Sequence, residues 1–494
     1  MLRLFLIGHT YKYECEKLCQ IFFPLEKQCF ADEGTAFGPA ADEIRVRISL
    51  RAAPEGTLCA CEAFGAGAGG AACSRETLPA GSTQEEGLAR VTVRALSSLT
   101  GISPPWGVLT GVRPAKLMRG LLAARGAEAA LRVFREEYLV RDDKASLALR
   151  VARAEQALLA DGTPADCSVY VSVPFCPTRC AYCSFVSHSV AQAKKLIPEY
   201  VRLLCEEIAL TGRVARTLGL RVRSVYIGGG TPTSLSAADL SAVCGALNDA
   251  FGAADCPEFT VEAGRPDTVT PEKLSALKAA GVSRISVNPQ TFSDAVLERI
   301  GRKHTAAETE EKYALARSMG FDNVNMDLIA GLPGDTAEGF AATLAKAIAL
   351  APENITVHTL ALKRAAALVT GGGADRAAED TAQMVAYAGT ALSAAGYGPY
   401  YMYRQSRSAG NLENVGWTVP GRACLYNVYM MEEIHTVLAC GGGAVTKLAD
   451  PPTNRLTRVF NFKYPYEYIS RFGELRERKK EILRFYGKPG SEPD

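Results

Sequence analysis

From residue 168 onward the chain alternates short β-rich runs with helix-length apolar periodicity, and this rhythm constrains its fold more than any other feature. The β-rich runs lie at 168–174, 224–227, 258–262, 284–288, 323–329 and 354–359. Helical patterns fill the gaps at 198–218, 236–251, 271–280, 306–319 and 336–350. Successive strands joined by helices pair in parallel, because a parallel crossover needs a dozen or more residues and a helix supplies them. The expectation is an α/β fold whose centre is a partial (β/α)6 barrel spanning 161–375. In such folds the chemistry sits at the C-terminal ends of the strands.

At 494 residues the chain exceeds one ordinary core, so further domains are expected on both sides. Residues 1–160 read as an α+β accessory domain with a helical connector. Run 2–7 is a strand rather than a signal peptide, 45–52 alternates as a half-buried strand does, and the Gly/Ala stretch 65–72 is a loop or hairpin tip. Helical patterns follow at 85–99 and 116–159, with the run 107–114 as a loop before a helix. Residues 376–494 form a smaller α/β region expected to cover the substrate: a helix at 376–395, an aromatic strand at 400–403, a glycine cluster at 441–443 and a charged helix at 474–486. The run Arg476-Glu-Arg-Lys-Lys480 reads as a solvated face.

Charge is balanced, 55 basic against 53 acidic residues, which gives no field for nucleic acid. No apolar run is long enough to span a membrane. Fifteen cysteines without an export signal read as free thiols in a reducing cytoplasm, and the expected state is a monomer.

Three of those cysteines differ from the rest. Cys176, Cys180 and Cys183 form a C-x3-C-x2-C cluster between Tyr170 and Phe185. Three thiolates hold three irons of a [4Fe–4S] cube and leave one iron open, which the amino and carboxylate groups of S-adenosylmethionine can chelate. A structural zinc held by these cysteines and His188 is the weaker reading, since no second knuckle accompanies the first.

Further polar groups fall at successive strand ends. Gly228-Gly-Gly-Thr-Pro232 follows the second strand, and is neither a G-x-G-x-x-G nor a Walker loop. Its glycines allow a ligand close to the backbone. Glu262 ends the third strand, Gln290 follows the fourth, Arg302 lies just beyond, and Asp327 sits in the fifth. An arginine suits a carboxylate, and Gln or Asp suits ribose hydroxyls.

With Tyr170-x-x-x-Pro-Phe-Cys176, Gly-Gly-Gly-Thr-Pro, Gln290-Thr-Phe, Gly301-Arg-x-His304 and Asp327-Leu-Ile-x-Gly-Leu-Pro333, the segment from 170 to about 362 resembles the oxygen-independent coproporphyrinogen III oxidase family of radical S-adenosylmethionine enzymes. The tail 403–414, with Tyr426-Asn-Val and Met431-Glu-Glu433, is similar to a Gram-positive coproporphyrinogen dehydrogenase branch. The resemblance implies that the three cysteines bind the cluster and that Gly229, Gly230 and Thr231 meet the methionyl end of the cofactor. It implies that Glu262, Gln290, Arg302 and Asp327 clamp the remainder, with Tyr170 and Phe185 beside cluster and cofactor. The implied reaction takes a hydrogen from a propionate β-carbon and loses CO2 and an electron, giving vinyl groups on coproporphyrinogen III. Arg404 is the expected propionate partner, with Arg407, Lys363, Arg364 and Lys447 weaker ones. A reducing donor such as flavodoxin or ferredoxin is implied.

Two departures stand out. Phe185 replaces the last cysteine of the C-x3-C-x2-C-x-C run, as in relatives that resemble haem chaperones. Glu262-Ala-Gly-Arg-Pro266 replaces an Asn-Pro or Asp-Pro pair. The alternatives are therefore a haem-binding chaperone and an enzyme acting on haem itself.

Overall fold

The computed structural model describes residues 1–32, 34–67, 69–79, 81–183, 188–361, 374–405, 408–450, 453 and 455–487, without the side chains of 374–378. The chain divides into two compact units, one of 1–153 with 402–413, the other of 154–401 with 414–494.

The first unit is a five-stranded mixed sheet. Leu2–Ile7 lies between Gln28–Phe30 and Ile44–Ala53, both parallel to it. An antiparallel meander, Gly56–Phe64 and Ala71–Leu78, completes the sheet. Leu2, Leu4, Val46, Ile48, Cys59 and Cys61 pack against Leu88, Val91 and Leu96 of the helix Gln84–Thr100 to make its core. The periodic stretch 116–159 is not one helix. Gly126, at φ +79°, breaks it after Pro114–Arg125, and Leu139, at φ +54°, precedes the helix Asp142–Leu158.

In the second unit six parallel strands follow one another without a reversal: Asp166–Val173, Arg221–Gly229, Glu258–Glu262, Arg284–Ser286, Val324–Ala330 and Asn354–Thr359. Right-handed crossovers in one winding direction place every helix on the same face, so the sheet curls around the other face as a partial barrel. The intervening helices include Ile197–Thr217, Ala237–Phe251, Pro271–Ala279, Ala306–Ser318 and Ala337–Leu350. Ser236 and Thr305 start two of them with capping boxes.

The last hundred residues do not form a body of their own. Thr436–Cys440 pairs in parallel with the first barrel strand, and residues 415–418 run antiparallel to the sixth. The segment between them lies against the N-terminal ends of the strands. Arg284 and Asn354, at the starts of the fourth and sixth strands, donate to the carbonyl of Arg422 at 3.2 and 2.8 Å. Glu258, which begins the third, accepts from the backbone N–H of Leu425 and Tyr426. Lys479 also departs from expectation. Inside the supposedly solvated run 476–480 it is fully buried, 2.7 Å from Glu207.

Candidate active site

Beyond the first barrel strand the chain enters the three-cysteine loop, where Phe175–Cys176 pairs with His188–Ser189. The loop is tied to the turn that follows the helix Asp294–Arg299. Ala181 N–H donates to Ile300 O at 3.0 Å, and Thr178 Oγ1 donates to Gly301 O at 3.4 Å. The glycine run after the second strand packs beneath it. A Cβ on Gly230 would stand 2.6 Å from Phe175 O and 3.0 Å from Cys176 Sγ, and one on Gly229 would stand 2.8 Å from Ser172 Oγ. Gly229 also has φ +108°. Backbone packing thus accounts for these glycines without a ligand. Thr231 Oγ1 lies 3.4 Å from Cys176 Sγ.

Two buried arginines brace the loop. Arg302 donates from Nε and Nη2 to the Tyr182 hydroxyl at 3.2 and 2.9 Å, and from Nη1 to the carbonyls of Gly264 and Asn288. Its guanidinium therefore joins the loop to the ends of the third and fourth strands. Arg265 donates to Asp267 through two bonds of 2.8 Å, while its Nη1 reaches Thr178 Oγ1 at 3.2 Å and Cys180 Sγ at 3.6 Å.

Inside the strand ends stand two carboxylates. Tyr226 donates its hydroxyl to Glu262 Oε1 at 2.5 Å. Burial pushes the Glu262 carboxyl up to about 7, Asp327 adds to that rise, and Tyr226 and His358 oppose it. Asp327 behaves oppositely. Burial disfavours its charge, yet His358, 3.7 Å away, and Asn325 at 2.8 Å hold it below the usual range. Asn288 adds a bond to Oδ2 at 2.7 Å. Gln290, buried, takes φ +67°, and its N–H and C=O bond to Asp327 and Ile329 of the neighbouring strand. A left-handed glutamine costs about 1–2 kcal/mol, and here the ladder bonds hold it.

Tyr170 occupies the first strand in register with Tyr226 of the second. Their rings lie 6.3 Å apart, and Tyr426 stacks against both, at 6.0 and 4.4 Å. Burial, then the charge of Glu262, pushes the Tyr170 phenol up.

Arg404 lies in the first unit, buried, and its guanidinium donates to the carbonyls of Leu109 and Gly111 and to Asn411 Oδ1, with Trp106 5.6 Å away. The expected propionate partner is thus committed to backbone and amide acceptors of its own unit. Lys447 is 3.4 Å from Glu433. Phe185, Lys363, Arg364 and Arg407 lie outside the described residues.

Tyr182, Tyr226, Arg265, Asn288 and Tyr426 are the site residues that sequence reasoning missed. Two had a signal: Tyr226 falls at the register of Tyr170 on the next strand, and Arg265 is the residue by which the third strand end departs from its family.

The donor set suits an iron–sulfur cluster. Three thiols share one loop, with the Arg265 guanidinium beside Cys180 and the Thr231 hydroxyl beside Cys176. Among the described residues no three His, Cys, Asp or Glu side chains gather as a closed ligand set, so the thiols share a loop and not yet a common point. His188 faces the ring of Tyr464 at 6.1 Å.

Residues 170–347 match the radical SAM superfamily. An oxygen-independent coproporphyrinogen-III oxidase-like protein of Bacillus subtilis, HemZ, is 38% identical over 80% of this chain and 80% of its own. The haem chaperone HemW of the same organism is 38% identical over 39% of this chain and 50% of its own. HemW of Escherichia coli is 29% identical over 64% of this chain and 78% of its own. Among solved structures, the coproporphyrinogen III oxidase HemN of Escherichia coli aligns with TM-score 0.48 at 24% identity, over 66% of this chain and 73% of that one, too low a likeness to carry weight. The chain belongs to the oxygen-independent coproporphyrinogen III oxidase-like family of radical SAM proteins, whose cofactors are a [4Fe–4S] cluster and S-adenosylmethionine.

Proposed function

We propose that this chain catalyses oxygen-independent oxidative decarboxylation of coproporphyrinogen III propionates to vinyls. The observation that carries the reading is the match to the oxidase-like relative. Its 399 residues exceed what the second unit contains, so the likeness runs into the first unit as well. The matches to chaperones leave more of the chain uncovered.

Cys176, Cys180 and Cys183 are the proposed cluster ligands. When bound, the cluster and S-adenosylmethionine supply a hydrogen-abstracting organic radical, chemistry that belongs to the cofactor. The chain's own residues bind and orient. Asp327, charged and fixed by Asn288 and Asn325, suits ribose hydroxyls. Gln290 is locked by its ladder bonds beside it, and Gly229, Gly230 and Thr231 present backbone at the methionyl end. Glu262, with its pKa near 7, carries a proton part of the time and so can donate as well as accept. Arg302 acts through Tyr182, holding the loop rather than meeting the cofactor. Tyr170, Tyr226 and Tyr426, stacked on one another, form an aromatic wall.

The chaperone matches favour a second reading, in which the same site holds haem and turns nothing over. One experiment separates them. Anaerobically reconstituted protein is incubated with coproporphyrinogen III, S-adenosylmethionine and a reducing flavodoxin or ferredoxin. The proposal expects vinyl product with one 5′-deoxyadenosine per propionate lost. Tight haem binding without porphyrinogen turnover sinks it in favour of the chaperone. Haem consumed with cofactor cleavage would mean an enzyme acting on haem.

A further inference from the structure

We infer that Arg265 sets the reduction potential of the iron–sulfur cluster. The inference rests on the proposed ligand role of Cys180. Arg265 is 3% exposed. Its Nε and Nη2 form a two-point clamp on Asp267, which removes the freedom an arginine normally has and aims the remaining Nη1 at the loop. That nitrogen stands 3.6 Å from Cys180 Sγ and 3.2 Å from Thr178 Oγ1. Among the described residues the donor to Cys176 Sγ is a neutral one, the Thr231 hydroxyl at 3.4 Å. A formal charge is thus held against Cys180.

Reduction adds an electron to the cluster and its thiolates. A buried cation at a ligand sulfur stabilises the electron-rich state, because little solvent screens the pair, and a hydrogen bond to sulfur acts in the same direction. Arg302 does not duplicate this, since its guanidinium ends on the Tyr182 phenol and two carbonyls. Asp267 orients Arg265 and offsets its charge; Asp267→Asn keeps an amide oxygen to accept from the guanidinium and removes only the charge.

The test is an anaerobic redox titration of the reconstituted holoprotein, followed by the electron paramagnetic resonance signal of the reduced cluster, without tetrapyrrole. Iron and sulfide are quantified for each variant. Arg265→Gln should shift the midpoint to a more negative potential, and Arg265→Lys should fall between that and wild type. Asp267→Asn should shift it the other way, because an offsetting negative charge is gone. A residue that merely props up the loop would lower iron content and leave the midpoint of the remaining clusters where it was. A wild-type midpoint in Arg265→Gln overturns the inference. So does an Asp267→Asn midpoint that stays put or falls, which decides the matter if Arg265→Gln holds no iron. Full iron in Cys180→Ala would overturn the ligand assignment, a result separate from either. None of these outcomes depends on the decarboxylase reading.

Discussion

The two ends of the barrel strands are both rich in polar side chains, yet the two sets are held in different ways. At the N-terminal end the polar groups hold structure together. Asp166 bonds to Arg221 at 2.7 Å and to the N–H of Thr163 at 2.9 Å. Arg284 and Asn354 share the Arg422 carbonyl, and Glu258 takes the first amides of the helix Leu425–Glu432. At the C-terminal end Glu262 is held part-protonated, Asp327 is held charged, and Gln290 sits in a left-handed conformation. Polar residues at a strand end are therefore not in themselves a site. Asp166 and Asp327 are both held charged, so what distinguishes the C-terminal end is the Glu262 carboxyl, raised to about 7, and the left-handed backbone of Gln290.

The contrast can be broken at several points. The largest effect is expected in the cysteine loop: Cys176→Ala, Cys180→Ala or Cys183→Ala should abolish the cluster, read as loss of about four irons per chain. Zinc in place of iron, or iron retained by the triple variant, would remove the basis for assigning the reactive end. Next is Glu258→Ala at the opposite end. It strands a buried and a half-buried amide and should cost roughly 2–4 kcal/mol, seen as a lower Tm, while each folded molecule keeps its iron. A variant with unchanged Tm would mean that this end is not the scaffold.

Smaller, but more diagnostic, is the sign of the pH dependence. Glu262 has its folded pKa raised, so its contribution to stability is lost as pH climbs between about 4.5 and 7. Glu262→Gln should raise the Tm of cluster-free protein at pH 8, by the equivalent of roughly 1–3 kcal/mol, with the gain fading toward pH 5. Asp166 works in reverse. Burial opposes its charge, but Arg221 and Thr163 hold its pKa down, so its stabilisation is present at neutral pH and lost as pH falls through the acid range. An Asp166→Asn variant should be the less stable form at pH 8. Matching signs for the two substitutions would erase the distinction between the ends.

Much of this was legible in the sequence, and the reasons it stopped are physical. All six barrel strands follow from apolar runs between helix-length patterns, and 258–262 and 354–359 coincide with the observed bounds. The meander strand Gly56–Phe64 was not seen, because its buried positions are Cys59, Cys61 and Ala63, small side chains whose alternation is faint. Lys479 was misread because a charge run looks solvated until a buried partner is known, and Glu207 lies far away in sequence. Arg302 and Arg404 were recognised as anion-seeking groups, but their acceptors are carbonyls, a phenol and an amide brought close only by the fold. Residue type indicated what each arginine could do. Packing decided what it does.

The most direct measurement compares the two ends in one assay: 5′-deoxyadenosine formed per cluster, anaerobically, with S-adenosylmethionine and reductant. Asp327→Ala removes an anchor whose role is positioning, for which misplacement costs on the order of 100-fold. Asp166→Ala removes a buried carboxylate at the other mouth. The account predicts that Asp327→Ala keeps its iron and loses most cofactor cleavage, while Asp166→Ala cleaves at the wild-type rate per cluster. Equal cleavage by both variants, or a loss confined to Asp166→Ala, would contradict it.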